Sequence, residues 1–555
     1  MPIQLYKFHT KQSVWQRFLR CALILPLSLA WTPTALALHR IDPDVCETLP
    51  TISEFHQQAL TQFELQTQGL ALWRDPAQLD ALLSQLIAVA DDGLDPLDYH
   101  FEELAHARAH LATWGQLGRC DIKLATDAYL LALSDLHYGR ARMQGTDAVW
   151  QAPQFTRPPQ PAQLVTIALQ GLSDLPLAFN EARPQLPRYL NLRTAYRIAR
   201  DNLPSQWPEV PPGPTLEESD LSDRVMALRA RLEAERYIAM PVTASPAQAT
   251  DAASPSAASV AAAQRFDPQL TAAVEAFQQR HGLEVDGKVG KGTLAALNVT
   301  PAERLEQIKA NLERLRWLAQ DMGRDANRNL LLVDIAGARL ELYEKGQLSW
   351  TGRAQVGRPT RETPELKSMI THVTVNPTWN IPRSIFLKDA LPSIMRDPLY
   401  LSKRNIRVYN STGDELDPLV VDWQNPKNLS LKQDPGPGNA LGEVVIRFSN
   451  PFAVYLHDTP SSGLFNTSQR FYSSGCVRVE GAMELTRKLF ASGSAEQVAQ
   501  FEAAKASGLS RNVHLPKGVY VVLAYWTAEA NQAGEISFRP DVYHSDGSLL
   551  AMLDN

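Results

Sequence analysis

Four cysteines in 555 residues are too few for disulfides to hold a chain of this size together. The fold must rest on apolar packing, and a hydrophobic content of 44% is ordinary for a soluble globular protein. Basic clusters are missing as well. Lys and Arg number 54 against 60 Asp and Glu, a net charge of −6, so no polybasic surface for nucleic acid is present. The N-terminal apolar run Cys21–Trp31 is shorter than the ~20 residues a spanning helix needs. Metal-ligand spacing is also lacking. His106 and His110 stand four apart, but the run HARAH has no Glu of an H-E-x-x-H motif. The acidic stretch 91–100, DDGLDPLDYH, lacks the alternating ligands and terminal Glu of a calcium loop and reads as a capped turn. No metal and no cofactor is implied.

What the N-terminus does have is a leader. Lys7, Lys11, Arg17 and Arg20 precede the run CALILPLSLAW, and Ala35-Leu36-Ala37 is a small-x-small cleavage site. Residues 1–37 are expected to be a signal peptide, with an uncleaved anchor as the alternative; either way the bulk of the chain is exported. Removal of the leader leaves Cys46, Cys120 and Cys476, an odd number. One free thiol or an intermolecular bond follows in an oxidising compartment. Cys46 and Cys120 share the N-terminal third, where a bridge between them is open, and Cys476 is the best candidate for the free thiol.

Residues 45–205 carry apolar positions at 3- and 4-residue spacing and are predicted to be a helical scaffold domain. Pro-rich 204–214 marks a boundary, and a helix is expected over about 219–237. Residues 241–263 are Ala/Ser/Pro low complexity, predicted to be a disordered insertion. At 266–299 a helix ending at His281-Gly282 precedes an Asp286-Gly287 turn and a second short helix, with His281 read as a cap or surface residue. RLEQIKANLERLRWL, 304–318, predicts an amphipathic connecting helix within 300–326. Then the period changes to two. Residues 327–530 are predicted to be a β-rich domain, interrupted at about 383–440 by a segment too long for a hairpin turn, and 531–555 is read as a C-terminal tail.

Chemistry concentrates in 455–480, YLHDTPSSGLFNTSQRFYSSGCVRVE. His457 follows the strand candidate EVVIRFSNPFAVYLHD, and Cys476 lies nineteen residues later. A cysteine attacks as thiolate, and an unperturbed thiol is only slightly ionised at neutral pH. A nearby imidazole supplies the base. Gly475 gives room for a tight turn, and the amides of Ser474, Gly475 and Cys476 are candidates for an oxyanion hole. Tyr455 shares the strand face of His457. Arg478 has two readings: pairing with Glu480 or another carboxylate, or holding a substrate carboxylate. Trp379 packs in the core or lines a groove.

The 266–299 pattern, DG…G…TLAALN, resembles the three-helix peptidoglycan-binding domain, and the likeness extends over 222–299 with 241–263 as an insertion. The His457/Ser473-Ser474-Gly475-Cys476 pattern, with fifteen residues between His457 and Ser473, resembles the signature of L,D-transpeptidases of the YkuD-like fold. NPTWNIP at 376–382 is similar to the same family's large Gram-negative subgroup. Two departures are visible: Ser474 stands where the family usually has a second His, and Arg478 where it usually has Asn. That puts in doubt any mechanism needing two histidines.

The resemblance implies a multidomain α+β protein: a helical scaffold, a small three-helix peptidoglycan-binding domain, and a β-rich catalytic domain whose insertion is a lid. It also implies a cysteine acyltransferase of the periplasm that forms 3→3 cross-links through a thioester at Cys476, with His457 as base and acid. D-Ala leaves from a tetrapeptide stem donor, and an amine of a second stem accepts. Ser473, Ser474, Gly475, Tyr455 and Arg478 would serve the oxyanion or substrate. The partners implied are peptidoglycan stem peptides and other cell-wall synthesis proteins. The alternatives are an L,D-carboxypeptidase, a lipoprotein-to-peptidoglycan transferase, or a catalytically silent wall-binding scaffold. Carbapenems would acylate Cys476.

Overall fold

The structure, a computed structural model, describes residues 53–68, 72–141, 160–238, 261–322 and 329–554. The expected leader, Cys46 and most of the 241–263 stretch lie outside these residues; the last three of that stretch, 261–263, are helical. Cys120 is disulfide-bonded and Cys476 is a free thiol.

The chain is a multidomain α+β protein. Helices α1 (Glu54–Gln66), α2 (Pro76–Ala88), α3 (Phe101–Trp114) and α4 (Arg119–Tyr138) open it. Then come α5 (Pro161–Gln170), α6 (Leu175–Ala182) and α7 (Pro187–Asn202). The side chains of Ser53, Asp75 and Asp174 accept from the first free amides of α1, α2 and α6, and Pro76, Pro161 and Pro187 open their helices where no N–H is needed. α4 runs through the middle, burying Ala125, Ala128, Tyr129, Leu133 and Leu136. In the acidic stretch 91–100, Asp92 is fully buried and accepts from Arg183 at 2.9 Å, Arg193 at 2.8 Å and the Tyr189 hydroxyl at 2.8 Å. Its role is that of a paired internal charge.

A second core joins α8 (Asp223–Ala234), α9 (Pro268–Arg280) and α10 (Lys291–Leu297) around Leu228, Leu270, Phe277 and Leu297. His281 does cap α9, but it is not a surface residue: its ring stacks on Phe277 at 3.8 Å and faces Phe538 at 5.6 Å. Burial holds its imidazole well below its ordinary pKa.

α11 (Pro301–Met322) corrects the expectation of an amphipathic helix. Every residue from Ala310 to Leu318 is buried, including Asn311, Glu313, Arg314 and Arg316. Its polar side chains find partners on both sides, though the Arg316 Nε is buried without one. Glu313 accepts from the Ala141 amide at 2.8 Å, Trp317 at 3.0 Å and Arg316 at 2.5 Å. Asn311 bonds Thr527 at 2.7 Å, and Arg314 pairs with Asp546. At Gly139, with φ +90°, a Cβ would lie 2.5 Å from the Glu313 carboxylate, so only glycine admits this approach.

The β domain contains β1 (Leu330–Asp334), β2 (Arg339–Glu344), β3 (Gln347–Gly357), β4 (Leu366–Val375) and the short β5 (Trp379–Asn380). After these come β6 (Ile406–Tyr409), β7 (Glu415–Leu416), β8 (Ser430–Gln433), β9 (Val444–Phe448), β10 (Leu456–His457), β11 (Phe471–Ser473) and β12 (Val477–Val479). Helices α12 (Ala482–Phe490) and α13 (Ala495–Ala506) precede β13 (Arg511–Ala524). The main sheet runs β11-β3-β12-β10-β9-β4-β13-β1-β2 and closes through β2–β3 pairing. EVVIRFSNPFAVYLHD, expected as one strand, is instead the antiparallel pair β9 and β10. Between them Asn450 accepts from the amides of Phe452 and Val454 and Ala453 has φ +54°. Strands β6, β7 and β8 of the insertion form a four-stranded sheet with β5, just ahead of it, in the order β5-β8-β6-β7, over Phe386, Ile394, Leu401, Val408 and Leu431.

Residues 531–554 are not a loose tail. β14 (Ala528–Ala530) pairs with β15 (Ile536–Phe538), and α14 (Ser545–Leu553) buries Leu549 and Leu553 in the core that α11 shares with the barrel. The tail reading failed because its apolar residues are few and match a surface only the assembled domains create.

Glu313→Ala leaves the Arg316 guanidinium buried with its carboxylate partner gone. A loss of about 3 kcal/mol of stability is expected, read by urea unfolding of the full chain, with Glu313→Gln losing less because it keeps the acceptor for Ala141. Equal stability of Glu313→Ala and the parent would contradict this account of α11.

Candidate active site

The site is built on two short strands. β10 and β12 pair in parallel, Leu456 beside Val477 and His457 beside Arg478. The Val477 amide donates to the Tyr455 carbonyl at 3.1 Å, which sets Tyr455 beside Cys476. Alternation then divides the two strands: Leu456, Val477 and Val479 are fully buried in the barrel core. Tyr455, His457, Cys476 and Arg478 take the other face. Tyr455 and His457 meet edge to face at 5.7 Å.

His457 is buried, and its Nδ1 lies 2.5 Å from the Asp458 carbonyl oxygen. A carbonyl can only accept, so Nδ1 carries the proton and Nε2 is left as the basic nitrogen. The orienting group is thus backbone. The Asp458 carboxylate is turned away, accepting from the Glu443 amide at 2.9 Å. Burial, with Arg478 and Arg447 nearby, pulls the His457 pKa down to about 3.

Burial pushes the Cys476 thiol above its ordinary value; the Tyr455 N–H and hydroxyl, Arg447 and Arg478 oppose that by favouring the thiolate. The neighbouring charges thus favour an anion on the sulfur and oppose a cation on the ring, and the Cys476 Sγ lies 3.9 Å from the Ala453 carbonyl oxygen. Arg447 lies over the Tyr455 ring at 4.9 Å.

The turn 473–476 is held from several directions. Ser473 is buried; its Oγ donates to the Cys476 carbonyl at 2.5 Å and accepts from the Gly475 amide at 3.1 Å. That corrects one expectation: the Gly475 amide is committed to Ser473 and is not an oxyanion donor. The amides of Ser474 and Cys476 have no such bond among the described residues, and the Tyr455 amide is a donor the sequence did not suggest. Gly475 has φ +110°, and a Cβ there would meet the Glu362 carbonyl at 3.2 Å. Thr363 fixes its carbonyl at 2.8 Å.

Ser474 is exposed and accepts from Arg361 at 2.9 Å; Arg361 also bonds Asp389, in the insertion, at 2.6 Å. One arginine therefore bridges the nucleophile turn and the inserted subdomain. Arg358 reaches the same two groups at 3.4 Å. Nothing in RPTRET, 358–363, marks these residues locally, because their partners are 28 to 116 positions away.

Arg478 does not pair with Glu480, which is taken by Arg353 at 2.6 and 2.5 Å. It donates to Gln355 at 3.0 Å and faces a cavity between barrel and insertion. Trp379 lines that cavity while packing on the insertion core. Among the described residues, no group of three or more His, Cys, Asp or Glu is placed to hold a metal ion.

Three family models match the chain: the L,D-transpeptidase catalytic domain, YkuD, over 328–489; a scaffold domain over 58–195; and a "Putative peptidoglycan binding domain" over 222–297. A Haemophilus influenzae protein named "Putative L,D-transpeptidase" is 32% identical over 247 residues, 44% of this chain and 49% of that protein. The chain thus spans about half the length of this curated relative. Solved structures that align include an L,D-transpeptidase from Xylanimonas cellulosilytica (16% identity, 57% of this chain, 100% of that one, TM-score 0.18). Another is from Mycobacterium smegmatis (14% identity, 36% and 58%, TM-score 0.16).

Two outcomes are expected. Alkylation of Cys476 by iodoacetamide, corrected with Cys476→Ala, should climb with pH only above the ordinary thiol range, because burial raises the thiol's pKa; a plateau between pH 4 and 8 would mean a preformed thiolate–imidazolium pair. Gly475→Ala should lose about 100-fold in turnover, the scale of a 1 Å misplacement, with a lowered thermal midpoint because alanine is strained at φ +110°. Retained turnover would show that the turn tolerates a side chain.

Proposed function

We propose that this chain, whose residues 328–489 are a YkuD L,D-transpeptidase catalytic domain accompanied by scaffold and peptidoglycan-binding domains, forms 3→3 cross-links in peptidoglycan. The observation that carries the reading is the parallel β10–β12 pairing, which sets Cys476 and His457 on one face with the imidazole tautomer already selected.

Cys476 Sγ attacks the carbonyl carbon of the third residue of a tetrapeptide stem, and its proton passes to His457 Nε2. The Asp458 carbonyl steadies the imidazolium that forms. Negative charge moves to the substrate oxygen, where the amides of Cys476, Ser474 and Tyr455 are the candidate donors, a contribution of ~3–4 kcal/mol where such a donor is well aimed. Collapse breaks the C–N bond, and the departing D-Ala amine takes the proton from His457. A thioester remains on Cys476. The neutral side-chain amine of a second stem attacks it, gives its proton to His457, and the C–S bond breaks with the thiol restored. Ser474 in place of a second histidine leaves His457 as the one imidazole of this cycle. The module at 222–297 would hold the wall strand, and the leader read from the sequence would send the enzyme to the periplasm.

The test is mass spectrometry of muropeptides after disaccharide-tetrapeptide is incubated with the mature protein or its Cys476→Ala variant. A dimer formed with loss of D-Ala, and only with Cys476 present, is expected. Tripeptide without dimer would make the enzyme a carboxypeptidase, and no product beside an active control would overturn the reading.

A further inference from the structure

A cavity of about 300 Å³ lies between the active-site strands and the inserted subdomain. Thr459, Ser461 and Arg478 line it from the barrel, and Ile385, Tyr400 and Arg404 from the insertion. Its volume falls at the small end of ligand pockets, too small for a peptide strand but enough for one long side chain.

The charges on its walls are unbalanced. Arg478 spends one N–H on Gln355, its Nε is buried without a partner, and it forms no salt bridge among the described residues. Arg404 lies over the Tyr400 ring at 4.2 Å, which holds its guanidinium plane. It too forms no salt bridge among the described residues: Asp397, within its Coulombic reach, is bonded to Lys403 at 2.9 Å. The one acid on the walls, Asp389, is bonded to Arg361 at 2.6 Å. Two guanidiniums without a carboxylate therefore face one small space, and their planar forks match a carboxylate. Trp379 and Ile381 add apolar wall beside them, suited to the methylenes of a chain carrying such a group.

We propose that this cavity binds the side-chain carboxylate of the donor stem's third residue, a diamino acid, in a two-arginine clamp formed by Arg478 of the barrel and Arg404 of the insertion. The inference rests on the stem-peptide reading above. That side chain leaves the α-carbon next to the carbonyl that Cys476 attacks, and Arg478 is two residues from Cys476 on the same strand face. On this account the insertion supplies half of a specificity pocket, in addition to covering the site.

The test uses the full chain carrying Cys476→Ala, so that binding is read without turnover. Calorimetry would compare three disaccharide-tetrapeptides: unmodified, amidated on the diamino-acid side chain, and amidated at the C-terminal D-Ala. Side-chain amidation should weaken binding about tenfold or more, the scale of a lost charge-assisted pair; C-terminal amidation should leave it within twofold. Adding Arg404→Gln should remove the difference between the first two probes, and Arg404→Lys should restore part of it. Discrimination that survives Arg404→Gln, discrimination against the C-terminal amide instead, or no binding of any probe would each overturn the clamp. Turnover by the Cys476-containing enzyme is scored separately. Carboxylate-dependent binding without product removes the transpeptidase reading and leaves the clamp; product with carboxylate-indifferent binding does the reverse.

Discussion

The active site depends on a parallel pairing only two residues long. β10 and β12 are too short to be stable alone, and they persist because the barrel flanks them on both sides, β9 against β10 and β3 against β12. Leu456, Val477 and Val479 anchor the pair in the core. That anchoring fixes register, and register fixes the chemistry: a shift by one residue would turn Tyr455, His457, Cys476 and Arg478 into the core and push three aliphatic residues out. The energy that orients Cys476 and His457 is therefore the energy of an apolar core one residue away.

Electrostatics then decide the resting state. Two arginines near the pair, Arg447 and Arg478, penalise an imidazolium and favour an anion on sulfur or on a substrate oxygen. His457 is buried while Cys476 is half-buried, so the penalty on charge falls more heavily on the ring than on the sulfur. Such a field would favour negative charge developing on sulfur or on a substrate oxygen, as the proposed reaction needs.

The catalytic barrel is tied to the helical domain through buried polar groups as well as apolar contact. α11 carries Glu313 and Arg316 on the side of the helical domain, bonding the Ala141 amide and the Asp92 carbonyl. Arg314 and Asn311 bond the segment after β13, at Asp546 and Thr527. Arg188 of α7 reaches Glu341 of β2. Such groups are costly to bury unless every partner is in place, so they favour one arrangement of the domains. At the other edge of the barrel, Arg361 joins the insertion to the nucleophile turn, so that the position of the insertion and that of Ser474 are coupled.

The residues by themselves determined the domain order, the helical and β-rich regions, and the placing of His457 and Cys476 in one β domain. These rest on local periodicity, on turn residues, and on a spacing whose chemistry needs few residue types. Gly475 ahead of Cys476 reads as room for a tight turn, and its φ is +110°. Only the tertiary structure decided which groups satisfy each other at a distance. The hairpin at Asn450–Ala453, the carbonyl that orients His457, the loss of the Gly475 amide to Ser473, the burial of the polar face of α11 and the docking of 531–554 all depend on partners far away in the chain. A hydrogen bond or an ion pair between distant segments leaves no period and no spacing in either of them, and it takes its meaning only once the fold has brought the two together.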